Sequence, residues 1–226
     1  MTLEEYFGDW IKVIDKEELN KVLTKLSRMY SQTNKFVTPN SMNWFRAFEL
    51  CPYSNLKVVM IGQDPYPQKG AATGILFGNS KETKEEDLSP SLKIVRDAAI
   101  DLHVPHNSII FDQTLESWAK QGILMINSAL TVEINKVGSH TMLWRPFISK
   151  LLRNISSINT GIIYVLFGRQ AQTFKPYIGK LNDIIEIEHP AYFARTNKEM
   201  PSEVFYKVNE LLKNKYGSTI QYYQEL

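Results

Sequence analysis

The chain has 226 residues, 43% hydrophobic and 22% charged, with 26 basic against 24 acidic side chains and a net charge of +2. A single core can serve roughly 250 residues, so one domain over 1–226 is expected, and the composition excludes a collagen, a coiled coil and a disordered tail protein. Apolar runs such as 161–168 fall far short of the ~20 residues of a bilayer span, the first residues lack the basic and apolar regions of a secretory leader, and the single Cys51 without a metal-ligand cluster gives neither a disulfide nor a metal site.

These exclusions predict an intracellular protein without metal or cofactor, cytoplasmic or, in a eukaryotic source, nuclear. Residues 1–50 read as outer helices, with Leu19, Val22, Leu23 and Leu26 at helical spacing before the polar stretch 31–35. Strands are then predicted at 57–61, 122–126, 162–167 and 184–188, and helices at 91–102, 114–121, 143–156 and 202–215. Strands separated by helix-length segments predict an α/β fold, a three-layer α/β/α arrangement around a central, mostly parallel four-stranded sheet. Charge is unevenly spread. Between Glu133 and Asp183 there is no acid, while Lys136, Arg145, Lys150, Arg153, Arg169, Lys175 and Lys180 are basic. That stretch reads either as a polyanion-binding face or as solvated helix surfaces.

Ligands of such sheets bind beyond the carboxyl ends of the strands, so the segments following each strand carry the most information. After the first strand, Gly62-Gln63-Asp64-Pro65-Tyr66-Pro67 is stiffened by two prolines that fix their own φ and restrict the residues before them. Asp64 is presented there either as a turn cap or as a working carboxylate. The second strand runs into Asn127, a lone amide in an apolar run that must find partners or cost ~1 to 3 kcal/mol. The last strand ends at His189-Pro190. Any one of these groups alone is more simply structural. A carboxylate, an amide and an imidazole at three strand ends would converge on one cleft.

At these segments the chain resembles uracil-DNA glycosylases of the main family, whose loops GQDPYH, LLLNxxLTV and HPSPLS occur in this order. Here they stand as GQDPYP at 62–67, LMINSALTV at 124–132 and HPAYFA at 189–194. Collinear similarity runs from about 40 to 195, with further matches at 74–77, 89–92, Ser139-His140, Trp144, Phe147 and Phe167-Gly168. The resemblance implies a monofunctional glycosylase that flips uracil out of DNA, hydrolyses its N-glycosidic bond and leaves an abasic site for base-excision repair. It gives Asp64 the role of orienting the attacking water and stabilising a cationic sugar, and His189 that of donor to uracil O2. It assigns Asn127 to uracil N3–H and O4, Tyr66 to excluding the 5-methyl group of thymine, Phe77 to stacking on the base, and the backbone at Gln63 and Asp64 to supplementary donors. DNA contacts are expected from Ser91, Gly168, Arg169 and the loop with Tyr192 and Phe193, Phe193 standing where the family places a leucine wedge. His140 matches a family histidine but could equally cap a helix.

Departures from the family pattern are Pro67 for histidine, the shortened turn 88–91, which predicts a less rigid phosphate clamp, Arg169 for serine, and Ala191, Tyr192 and Phe193 for serine, proline and leucine. The expected partners are uracil-containing single- and double-stranded DNA and an acidic DNA-mimic inhibitor protein, with no membrane, the protein acting as a monomer. The alternative is a catalytically weakened uracil-DNA binding or decoy protein that keeps the pocket. A small-molecule nucleotide enzyme is disfavoured, since no GxGxxG or GxxxxGK[ST] follows the first strand.

Overall fold

The computed structural model describes residues 2–32, 36–100 and 108–226. In chain order the elements are α1 (Leu3–Phe7), α2 (Lys16–Gln32), β1 (Val37–Thr38), α3 (Arg46–Leu50), β2 (Val58–Gly62), α4 (Pro90–Ala99), β3 (Ile109–Ile110), α5 (Glu116–Lys120) and β4 (Ile123–Asn127). They continue with β5 (Val132–Glu133), α6 (Thr141–Ile158), β6 (Ile163–Phe167), α7 (Gly168–Gln172), β7 (Asp183–Ile187), α8 (Pro190–Thr196), α9 (Glu203–Tyr216) and β8 (Gln224–Glu225). All four expected strands appear within a residue or two of their expected bounds. The helix expected over 91–102 is α4; its last two expected residues lie outside the described ones, as do 33–35 of the polar stretch.

The central sheet has the order β4-β2-β6-β7, and every pairing in it is parallel. Its strands β2, β4 and β6 are buried along their whole length, because helices cover both faces and side chains alternate between them. Val59, Ile61, Leu124, Ile126, Tyr164 and Leu166 join one core with Trp144, Phe147 and Leu151 of α6. Val58, Met60, Ile123, Met125, Ile163 and Val165 join the other with residues of α4, α5 and α9. The chain leaves β2 toward β4 on one side and later reaches β6 on the other. The loops at the carboxyl end therefore diverge and open a crevice there.

The fold modifies two expectations. The first 50 residues are not merely outer helices: Trp10, Leu19, Val22 and Leu26 are buried in the core they share with α6, and the Trp10 indole donates to the carbonyls of Phe48 and Cys51. The basic run is also less free than its sequence suggests, because acids at its edge or beyond it pair with three of its seven cations. Lys150 pairs with Asp15 and Glu18 of the N-terminal layer, Lys136 with Glu133 and Lys175 with Glu186. Arg145 lies 4.7 Å over the Phe174 ring. Among the described residues no helix is long and apolar enough to cross a membrane.

Candidate active site

Strand β2 ends at Gly62, in register with Asn127 at the end of β4. A Cβ at Gly62 would lie 2.3 Å from Leu76 Cδ1 and 2.9 Å from Asn127 Oδ1, so only glycine lets the amide lie across the strand end. The following loop is tied to the end of β4: the Gln63 carbonyl accepts from Ser128 Oγ at 2.9 Å and from the Ala129 N–H at 3.1 Å. Asp64 is thereby fixed beside Asn127. Its Oδ2 accepts from the Gly138 N–H at 2.8 Å and from Gln63 Nε2 at 3.2 Å, whereas Oδ1 is buried without a partner. Burial raises the Asp64 pKa above the ordinary carboxylate value, and those two hydrogen bonds oppose the rise.

Asn127 is 9% exposed, and its Oδ1 is likewise buried with no hydrogen-bond donor. A free acceptor held there costs stability unless a ligand supplies the donor. Phe77, with φ of 63° in a region non-glycine residues rarely occupy, sets its ring edge to face against Phe167 and His189 at centroid distances of 5.1 and 5.6 Å. The Tyr66 hydroxyl donates to the Phe77 carbonyl at 2.9 Å and hydrogen-bonds Ser89 Oγ, which locks the ring between two prolines. Burial raises the pKa of that phenol, so it stays protonated.

His189 is the N-cap of α8, and its Nδ1 accepts from the Ala191 N–H at 3.2 Å. A neutral ring accepting at Nδ1 carries its proton on Nε2, which makes Nε2 a donor. Burial first, and the charge of Arg195 second, depress the His189 pKa to about 4, so the neutral form prevails near pH 7. Gly168, at φ of 82°, lets this residue approach: a Cβ there would stand 2.8 Å from that of His189.

Gln63, Asp64, Tyr66, Phe77, Ser91, Asn127 and His189 line one cavity of about 330 Å³. Gly168, Arg169, Tyr192 and Phe193 do not line it. Arg169 and Tyr192 are exposed nearby in sequence to the strand ends, so they sit at the surface. Phe193 departs from expectation. The segment 190–196 is a helix rather than an open loop, because His189 caps it and Pro190 occupies its first turn. That winding turns Phe193, 7% exposed, into the core against α4 and α9, and leaves Tyr192 as the exposed ring. Ser91 also differs from an exposed loop serine: it is 7% exposed in the first turn of α4. The shortened turn is firmly held, since Ser89 Oγ caps the Leu92 N–H and the Ser89 N–H donates to Asn79 Oδ1 at 2.8 Å.

Sequence reasoning missed the Gly138 N–H, Trp44, Val137 and Arg195, which complete the site. Gly138 reaches Asp64 because the turn 133–140 is anchored beneath: the Glu133 N–H donates to Ser139 Oγ, and Thr131 Oγ1 accepts from Trp144 Nε1 and hydrogen-bonds His140 Nδ1. His140 thus supports a loop, and its side chain makes no capping hydrogen bond to α6.

Three kinds of comparison bear on this arrangement. A family model described as "Uracil DNA glycosylase superfamily" matches residues 48–213. A Campylobacter jejuni protein named uracil-DNA glycosylase is 33% identical over 212 residues, covering 91% of this chain and 88% of that protein. Another of that name from Mesomycoplasma hyopneumoniae is 33% identical over 218 residues, covering 95% and 94%. Among solved structures, mimivirus uracil-DNA glycosylase superposes with a TM-score of 0.74 at 22% identity, covering 98% of this chain and 93% of that one. A variant of the mimivirus protein in complex with UGI gives 0.79 at 23%, covering 98% and 88%. These two likenesses bear on the fold.

Proposed function

The chain belongs to the uracil DNA glycosylase superfamily, and on that premise we propose that Asp64 and His189 carry its chemistry while Asn127, Tyr66 and Phe77 select the base. The reaction is hydrolysis of the N-glycosidic bond of uracil in DNA, the excision step of base-excision repair. A stacked base is out of reach, so the nucleotide must leave the helix at a cost of a few kcal/mol. Breaking the bond leaves positive charge on the sugar and negative charge on the uracil.

Each developing charge has a counterpart in the cavity. The free Oδ1 of Asp64 is placed to hold the attacking water, and the buried carboxylate stabilises the cationic sugar more strongly than a solvated one would. The Nε2–H of neutral His189 donates to O2 as the uracil anion forms. Asn127 Oδ1 accepts from N3–H and its amide NH₂ donates to O4; cytosine, with an acceptor at N3 and a donor at position 4, mismatches both. A site that leaves buried polar atoms unpaired with the wrong base can discriminate by ~10⁴ or more. The Tyr66 ring occupies the space a 5-methyl group would need, and Phe77 stacks on the base for ~1 to 3 kcal/mol.

The observation that carries this reading is the pair of buried, unpartnered oxygens, Asp64 Oδ1 and Asn127 Oδ1, in one cavity with a neutral imidazole. Single- and double-stranded DNA are both substrates for the protein as a cytoplasmic monomer, and an acidic DNA-mimic inhibitor would compete at the cavity mouth. The alternative of a binding or decoy protein is not favoured, because the relatives that match most of the chain are named as enzymes. The test is uracil release from oligonucleotides, with the base choice of two variants. Asn127→Asp should gain measurable cytosine release and Tyr66→Ala thymine release in single-turnover assays. Absence of both gains would overturn the pocket assignment, and absence of uracil release by the unaltered protein would favour the decoy.

A further inference from the structure

We propose that Arg195 is the phosphate anchor of this site, the cation that holds the phosphodiester beside the flipped nucleotide; this rests on the glycosylase reading above. Ala191 and Arg195 are four residues apart on α8, share one side of that helix and both line the cavity, whereas Phe193 between them is turned into the core. Arg195 is the one Lys or Arg lining the cavity among the described residues.

Several other cations are engaged elsewhere. Arg46 pairs with Glu116, Arg96 with Glu85 and Asp97, and Lys150 with Asp15 and Glu18. Arg195 has neither an ion pair nor a hydrogen bond among the described residues. A free surface cation is ordinarily just solvated. This one is tied to the site by its position on the cavity wall and by its charge, which is felt at His189 inside.

Depth decides which part of the ligand it meets. The recessed groups, Asn127 and His189, suit a neutral base, and the recessed charge is the Asp64 carboxylate, which repels phosphate. Arg195 is exposed, at the mouth, where the backbone of a nucleotide must remain when its base has entered. A planar guanidinium matches two phosphate oxygens at once and tolerates partial hydration.

The experiment uses single-stranded oligonucleotides with one uracil, measuring binding and single-turnover release across a salt series. Arg195→Gln should flatten the log–log dependence of affinity on salt by about 0.7 for single strands. The loss should fall on affinity more than on the release rate at saturating DNA, as expected of a group that binds ground and transition states alike. Replacing the phosphates around the uridine one at a time by neutral methylphosphonate should identify one position whose penalty in the unaltered protein vanishes in Arg195→Gln. Arg195→Lys should restore the salt slope but only part of the affinity, since a point charge lacks the fork. An unchanged slope in Arg195→Gln, or equal penalties in both proteins at every position, would overturn the proposal. If the unaltered protein binds the oligonucleotide but releases no uracil, the glycosylase reading fails, while the salt and methylphosphonate results still decide whether Arg195 holds phosphate.

Discussion

At the scale of single residues, the groups assigned to the chemistry carry a stability cost, and their ionisation shows its sign. His189 has a folded pKa of about 4 against an ordinary value near 6.5. The unfolded chain therefore takes up its proton first as pH falls. Stability from this residue is whole above about 6.5 and is lost progressively toward pH 4, by about 3 kcal/mol in all. Melting curves from pH 7 to 4.5 should show that slope in the unaltered protein, and His189→Gln should lack most of it; an identical slope in both would mean the ring is not held neutral. Asp64, Asn127 and His189 were legible in the sequence because a polar group stands at the end of each apolar run. The Gly138 N–H was not, since it meets Asp64 across 74 residues through a backbone atom, which leaves no signature in side-chain identity. Arg195 was equally silent, because an exposed arginine in a polar segment looks the same wherever the fold carries it.

Secondary-structure elements explain both what the pattern revealed and where it misled. The inner strands were readable as apolar runs because helices bury both of their faces, and the alternation of Val58 and Val59 to opposite cores follows from the pleat alone. Helix α8 was hidden. The resemblance makes 189–194 a loop that projects Phe193, although a cap at His189 and proline in the first turn are helix-starting features. The winding buries Phe193 and exposes Tyr192. Phe193→Ala should consequently destabilise the protein by about 3 to 5 kcal/mol, as for a phenylalanine removed from a core, and lower activity on single and double strands alike. Tyr192→Ala should leave the melting temperature nearly unchanged while impairing duplex substrates more than single strands, since only a duplex must be opened. Denaturant titration with paired release assays checks both variants; a duplex-selective loss in Phe193→Ala would restore the buried ring to the role of wedge. Gly168 belongs to the same geometry, for its positive φ and missing Cβ allow the start of α8 to close on β6.

For the whole molecule, the sheet order places the ends of β2, β4, β6 and β7 around one crevice, and the two cores hold those ends rigid from both faces. The parallel sheet, its two helical layers and the site at its carboxyl end followed from strand and helix spacing, whereas the strand order did not. The charge pattern did not, because the pairing of Lys150 with Asp15 and Glu18 joins segments more than 130 residues apart, and a sequence window sees only one side of it. Rigidity lets the fold maintain a carboxylate where burial disfavours it. A folded pKa raised above the unfolded one means that Asp64 costs stability as pH rises from the ordinary carboxylate range toward neutrality, and costs none below that range. The most direct measurement is therefore made on Asp64→Asn, by single-turnover uracil release and thermal melting of the same preparation at pH 7. The expected result is release slower by at least ~10²-fold, DNA affinity little changed, and a melting temperature at or above that of the unaltered protein. Near-normal release would contradict the assignment of Asp64 to the reaction, and a large fall in melting temperature would show that the carboxylate serves the fold rather than the chemistry.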